Sequence, residues 1–239
     1  MSPSPTTPTS HNAYHFDTAA VHEGQAPDPV SGAIVPPITL ATTFRMADVE
    51  TPPAGYDYSR GGNPTRAAYE RALAALEGGG HALAYPSGMA AIDAVIRVLV
   101  GPGQAICAGR DVYGGVGRLL TWIAPAEGRR VSRVATTDLA GVAAALERER
   151  PRVLWVETPS NPGLEVTDLR AVADLAHAAG ALLVVDNTFA TPVLQTPIAL
   201  GADAVVHSTT KFVGGHSDML GGAVIVRAGL ELPEPGLSG

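Results

Sequence analysis

Lys211, within HSTTKFVGGHSD (residues 207–218), is the only lysine in a chain that otherwise carries its basic charge on arginine. An arginine guanidinium stays protonated in a protein, whereas a lysine amine can lose its proton, attack a carbonyl and form an imine. One lysine among 16 Lys plus Arg is therefore a candidate for covalent carbonyl chemistry, set against the plainer reading of a stray surface lysine. Other residues with chemical capacity cluster in short stretches. PSGMAA (86–91) opens a helix-like run, where free backbone N–H groups and the helix dipole favour a phosphate and Gly88 permits close approach. Ser208 and Thr210 add hydroxyls beside Lys211. Tyr113, followed by two glycines, offers a flat face for stacking, and Asp186, ending the apolar run ALLVVD, is a costly buried charge unless a cation meets it.

The elements that would position these residues follow from the pattern of the chain. HALAY, QAICA, RVLWVE, ALLVVD, DAVVH and GGAVIV read as short, continuously apolar strands. Between them lie helix-like runs: MAAIDAVIRVLV, with Ile92, Ile96 and Leu99 on one face, DLAGVAAALERER and DLRAVADLAHAAG. Ahead of them, NPTRAAYERALAALEGGG has Asn63 as N-cap, Pro64 at the first helical position and a stop at Gly78–Gly80. This alternation predicts an α/β fold with a mainly parallel sheet covered by helices on both faces. In such a sheet ligands bind beyond the carboxyl ends of the strands, and the chemistry-bearing residues follow five of the predicted strands.

Composition sets the outer limits. With 46% hydrophobic and 16% charged residues the chain reads as globular, and a net charge of −7 without a basic cluster argues against nucleic-acid and membrane-surface partners. The N-terminal MSPSPTTPTSHNAY lacks the basic start and apolar centre of a signal peptide, so the cytoplasm is the expected compartment. The first dozen residues are expected to be disordered, residues 16–57 to form an extended, proline-punctuated arm within a first segment 1–57, and residues 58–239 to form the ligand-binding domain. Cys107, the single cysteine, reads as a core thiol. A metal site at His207, His216 and Asp218 is the weaker reading beside hydrogen-bonded loop residues, and no metal is expected. STTK lacks a phosphate-loop glycine pattern, and Ser87 lacks the glycine two places earlier that a nucleophile elbow needs.

An imine-forming lysine, an acid for a ring nitrogen, a phosphate cradle and a stacking ring together point to pyridoxal phosphate. The chain resembles the Cys/Met-metabolism enzymes that use this cofactor, through VPPITLATTF, YSRGGNPT, SGMAA, DVYGG, ETPSNP, VDNTFATP and HSTTKFVGGHSD in that family's order. The resemblance implies the fold type I, aspartate-aminotransferase-like large domain, with Lys211 as the Schiff-base lysine, Asp186 at the pyridine nitrogen and Tyr113 on the ring. It also implies Gly88, Met89, Ser208 and Thr210 around the phosphate and Asn161 near the ring oxygen. Tyr58 and Arg60 are implied to reach the phosphate of a neighbouring subunit in a homodimer or homotetramer with shared active sites. The implied activity is trans-sulfuration, either γ-elimination of cystathionine or γ-replacement on an activated homoserine, with DVYGG and VPPITLATTF nearest the cystathionine γ-lyase and γ-synthase branches. Family members are longer, so the expectation is that the C-terminal small domain, with its carboxylate-gripping arginine, is missing. A remnant that binds the cofactor without turnover is the alternative.

Overall fold

The computed structural model describes residues 14–46, 48 and 55–231, so the expected disorder of the first dozen residues and the tail from 232 onward lie outside it. The chain divides into two compact units, residues 1–76 and 77–239. In the first, α1 (Phe16–His22) forms a short helix within the stretch expected to be extended. Its seven residues hold one buried side chain, Ala19, too little apolar periodicity to be legible in the sequence. Thr43 and Tyr58 then form an isolated antiparallel bridge. Asn63 caps α2 (Pro64–Glu77) as expected: its Oδ1 accepts the N–H groups of Thr65 at 2.9 Å and Arg66 at 3.4 Å. Arg66 in turn donates to the carbonyls of Ser59, Arg60 and Gly61, which folds the YSRGG segment back onto its own helix. Val30, Ile34, Val35, Ile38 and Leu40 of this unit are apolar and exposed.

The second unit is built on a seven-stranded sheet: β1 (His81–Tyr85), β2 (Ala105–Gly109), β3 (Arg130–Val134), β4 (Val153–Glu157), β5 (Leu182–Asp186), β6 (Ala204–His207) and β7 (Gly222–Val226). Its order is β1-β7-β6-β5-β4-β2-β3. Strands β6, β5, β4, β2 and β3 run parallel, while β7 is antiparallel to both of its neighbours. The antiparallel strand follows from its connection. Every parallel step is bridged by a crossover, but the chain turns directly after β6 through the Lys211 loop and returns as β7. β3 is the strand that apolar runs did not reveal, because RVSRV lies at the sheet edge with Arg130 exposed and its next three residues only partly buried.

Helices cover both faces. α3 (Gly88–Leu99) places Ile92, Val95, Ile96 and Leu99 against Ile106, Val153, Trp155, Val184 and Val206. The next stretch, α4 (Gly114–Arg118), a π-turn (Leu119–Ile123) and α5 (Ala124–Ala126), adds Val116, Leu119 and Leu120 to the same core. The alternate strand residues Cys107, Leu154, Leu183, Val185 and Val205 are equally buried and point to the other face. That face carries α6 (Leu139–Glu149) and α7 (Leu169–Ala178), N-capped by Asp138 and Asp168, whose side chains accept from the N–H of the third residue on. α8 (Thr191–Leu194) is a single turn after β5. At the amino ends of the central strands, buried Asp203 accepts from Leu183 N–H and Arg227 Nε, and its Oδ2 lies 2.9 Å from His177 Nε2, which fixes β5, β6 and β7 in register. No helix among the described residues is long and apolar enough to cross a membrane.

Gly222 decides how closely β7 approaches the start of α3. A Cβ there would meet the Ser87 carbonyl oxygen, and would lie 2.8 Å from Gly88 N. Backbone is on both sides of that contact, so Gly222→Ala is expected to lower stability by roughly 1–3 kcal/mol, read as a fall in the urea midpoint at unchanged slope; an unchanged midpoint contradicts the packing.

Candidate active site

A cavity of about 490 Å³ opens at the carboxyl ends of the parallel strands. Its wall is drawn from the segments after five strands: Ser87, Gly88 and Met89 after β1, Tyr113 after β2, Glu157 and Asn161 at and after β4, Asp186, Thr188 and Phe189 from β5, and Ser208, Thr210 and Lys211 after β6. A second cavity of about 580 Å³ shares Phe189, Thr210, Lys211 and Leu220 with it, so the lysine stands where the two meet.

One end of the cavity is an anion cradle. Ser87 N-caps α3, its hydroxyl accepting Ala90 N–H at 3.1 Å, while the N–H groups of Gly88 and Met89 in the first turn have no carbonyl within the helix to bind. Gly88 is required by its neighbour: a Cβ there would lie 2.6 Å from Ser208 Cβ and 2.8 Å from its Cα. Gly115 plays the same part for the aromatic wall. A Cβ at that position would stand 2.5 Å from Tyr113 Cε1 and 2.7 Å from Met89 Sδ, so the tyrosine ring and the methionine close over a bare backbone.

The opposite wall holds two carboxyls. Asp186 is 5% exposed; its Oδ1 accepts Thr188 N–H at 3.0 Å and Thr188 Oγ1–H at 2.6 Å, and the Thr188 hydroxyl oxygen accepts Ser208 N–H at 2.9 Å. Its Oδ2 has no hydrogen-bond donor among the described residues. Burial raises the Asp186 pKa above the ordinary carboxylate range, with the Thr188 hydrogen bonds and nearby His207 pulling the other way. Glu157 faces Asp186 in register across β4 and β5, is 7% exposed, and accepts Tyr113 N–H at 2.7 Å. Burial, then repulsion from Asp186, lifts its pKa to about 8.

The cavity thus brings together Gly88, Met89, Tyr113, Asn161, Asp186, Ser208, Thr210 and Lys211, all singled out from the sequence. Tyr58 and Arg60 belong to the first unit, where the Arg60 guanidinium carbon lies 4.9 Å from the Tyr58 ring centroid, and they do not line this cavity. The Lys211 amine is exposed and makes no hydrogen bond or ion pair among the described residues. Thr210 differs from expectation: its hydroxyl donates to Gly221 O and accepts from Gly221 N–H, so it holds the loop as placed and would have to turn to meet an anion. His207 is fully buried with Nε2 2.5 Å from Glu77 Oε1, and His216 donates from Nδ1 to the Gly214 carbonyl. Among the described residues no cluster of His, Cys, Asp and Glu could hold a metal ion. Burial pushes the Cys107 thiol up, in keeping with a core role.

Sequence reasoning gave no role to Glu157, Thr188 or Phe189. Glu157 carried a usable signal, since RVLWVE ends an apolar strand on an acid just as ALLVVD does.

A profile of the Cys/Met metabolism PLP-dependent enzymes matches residues 17–235. The chain belongs to this family. It is 46% identical over 208 residues to a cystathionine gamma-synthase of Mycobacterium tuberculosis (strain ATCC 25618 / H37Rv), covering 87% of this chain and 53% of the relative. It is 42% identical over 216 residues to a cystathionine gamma-lyase of Dictyostelium discoideum, covering 90% and 55%. Among solved structures, cystathionine gamma synthase from Xanthomonas oryzae pv. oryzae in complex with cystathionine superimposes with a TM-score of 0.86 at 43% identity, over 90% of this chain and 55% of that one. The chain spans about half the length of the relatives it matches.

The residues present fit pyridoxal phosphate, the cofactor of the family. A carboxylate oxygen without a donor, on a residue only 5% exposed that lines the cavity, suits a protonated ring nitrogen, and a helix start stripped of side chain at Gly88 suits a phosphate. Asp186 would hold the ring, Gly88, Met89 and Ser208 the phosphate, and Lys211 the aldehyde.

The raised Glu157 pKa fixes the sign of a pH effect. A carboxyl that is neutral in the folded chain up to about pH 8 but ionises near 4.5 when unfolded makes stability fall as pH rises through that window, and no further above it. Glu157→Gln removes this loss, so without cofactor the variant's melting temperature should pull away from the native chain's between pH 5 and pH 8 and then run parallel. The gap corresponds to roughly a few kcal/mol at most. A gap that is constant with pH contradicts the assignment.

Proposed function

We propose that the chain carries the active site of a PLP-dependent trans-sulfuration enzyme that performs γ-elimination on cystathionine or γ-replacement on an activated homoserine. The observation that carries this reading is the pairing, in one cavity, of an uncommitted Lys211 amine with a buried Asp186 carboxylate that has one oxygen without a donor. When bound, pyridoxal phosphate supplies an aldehyde that condenses with amines and a ring that accepts electrons. Asp186 would keep the ring nitrogen protonated. Lys211, once displaced by the amine of a sulfur amino acid, would take the proton from the substrate Cα. Tyr113 would cover the ring and act as a second base at the substrate amine or γ position. Asn161 would bind the ring oxygen, and Thr210 would support the phosphate after rotation of its hydroxyl.

The same reading takes the assembly to be a homodimer or homotetramer, in which Tyr58 and Arg60 complete the phosphate site of a neighbouring copy. The exposed apolar run from Val30 to Leu40 supports it, because such side chains need a second surface to cover them. A cytoplasmic location belongs to it as well, supported by a single, buried, unpaired cysteine.

The test is made on the purified chain incubated with pyridoxal phosphate. Borohydride reduction is expected to fix the cofactor's mass on the peptide containing Lys211, and cystathionine is expected to release an oxo acid. Lys211→Arg should lose the adduct and at least about a thousandfold in turnover while its thermal melt stays within a degree or two, since an exposed side chain carries little of the fold. Turnover retained by that variant overturns the proposal; an adduct without turnover limits it to cofactor binding.

A further inference from the structure

Glu157 is a buried acid with no role yet in the proposed reaction; it ends β4, where the loop after that strand begins, and it holds the loop after β2. Its Oε2 accepts Tyr113 N–H at 2.7 Å, from a residue 44 positions away. The loop after β2 returns the tie. Asp111 Oδ2 accepts Ser160 Oγ–H at 2.5 Å and Gly163 N–H at 2.7 Å, both from the loop after β4. Gly163 has no room for a side chain at this point, since a Cβ would stand 2.5 Å from that same oxygen. Each loop therefore sends one carboxyl to the backbone of the other, across neighbouring strands β2 and β4.

We infer that Glu157 is a positioning residue, half of a reciprocal carboxyl clasp with Asp111 that fixes Tyr113 and Asn161 relative to each other at the mouth of the cavity. For what those two residues then do, the inference rests on the proposed cofactor reading; the clasp itself does not. Tyr113 needs such a hold. It sits at the N-terminal boundary of a five-residue helix whose first turn contains two glycines, its side chain caps nothing, and its ring is 44% exposed. An acceptor fixed at the end of a fully buried strand supplies a rigid reference that the loop lacks. The charged and titratable groups around Glu157 are Asp186 on β5, Asp111 on the loop after β2, His207 behind Asp186 and Lys211 on the far rim of the cavity. An acceptor oxygen, rather than a negative charge, is what the clasp requires at position 157.

The decisive readout is amide hydrogen exchange, residue by residue, with cofactor affinity alongside. In the native chain the Tyr113 amide should be protected despite its place in a loop. In Glu157→Ala it should exchange about tenfold faster or more, while Leu183 N–H, held by Asp203, stays unchanged. Glu157→Gln, which keeps an acceptor oxygen, should restore protection to within about threefold, and the affinity for pyridoxal phosphate should follow the same order of native, Gln, Ala. If the alanine variant does not fold, Glu157→Asp, one methylene short of Tyr113 N–H, should show the same loss. Fast exchange of Tyr113 in the native chain, or a glutamine variant no better than alanine, overturns the clasp. A native chain that protects the Tyr113 amide yet binds no pyridoxal phosphate leaves the clasp standing and removes the cofactor reading instead.

Discussion

A carboxylate at the end of a strand and largely shielded from solvent has to find positive charge, or it is driven towards its neutral form. Asp186 is in that position. The Thr188 backbone and hydroxyl satisfy one of its oxygens and leave the other without a donor, while Glu157 beside it on the next strand, neutral up to about pH 8, brings no positive charge. Two buried acids in register are costly for the fold on its own. In the proposed reading, the protonated ring nitrogen of the cofactor would bring the positive charge that Asp186 lacks. The rest of the wall can then be understood as equipment for holding that ring in place.

The sheet makes this arrangement possible through its connections. Parallel strands all deliver their carboxyl ends to one side, so residues far apart in sequence arrive at one crevice without long loops. The direct return from β6 to β7 is the exception, and it has a consequence for the chemistry: the connection stays on the crevice side and carries Lys211 along its rim. Close approach is bought with glycine at Gly88, Gly115 and Gly222, each at a point where a Cβ would strike backbone or a wall residue. Behind the wall, Asn187 donates to Glu77 and to the Gln195 carbonyl, and Gln195 donates to the Thr158 carbonyl and Asn187, tying the bases of several site loops together.

Much of this was legible in the sequence, for identifiable reasons. Five strands were visible because strands covered on both faces are apolar throughout, β1 because its residues are apolar although it lies at an edge with Leu83 exposed, and α2 because Asn63 and Pro64 mark its start. Lys211 stood out by its rarity, and Asp186 by breaking an apolar run. What stayed hidden was what apolar pattern cannot encode. β3 is an edge strand whose arginines and serine disguise it, and α1 is too short to show a period. Thr210 could not be read as turned towards Gly221, since a hydroxyl's partner depends on a loop eleven residues further on. Glu157 received no role although it obeys the same rule that exposed Asp186: it was counted in the strand RVLWVE, and the chemistry was sought in the TPSNP that follows.

Asp186→Asn separates the two sides of the central constraint in a single thermal-melt comparison at pH 7.5, with and without saturating pyridoxal phosphate. Burial raises the Asp186 pKa, so its ionised form costs stability above the ordinary carboxylate range, and the neutral amide should melt higher than the native chain when no cofactor is present. With cofactor the order should reverse, because affinity about a hundredfold weaker removes up to about 2.7 kcal/mol of ligand-linked stabilisation. Equal cofactor-induced shifts in the two proteins would contradict the claim that this carboxylate is there to meet a cation.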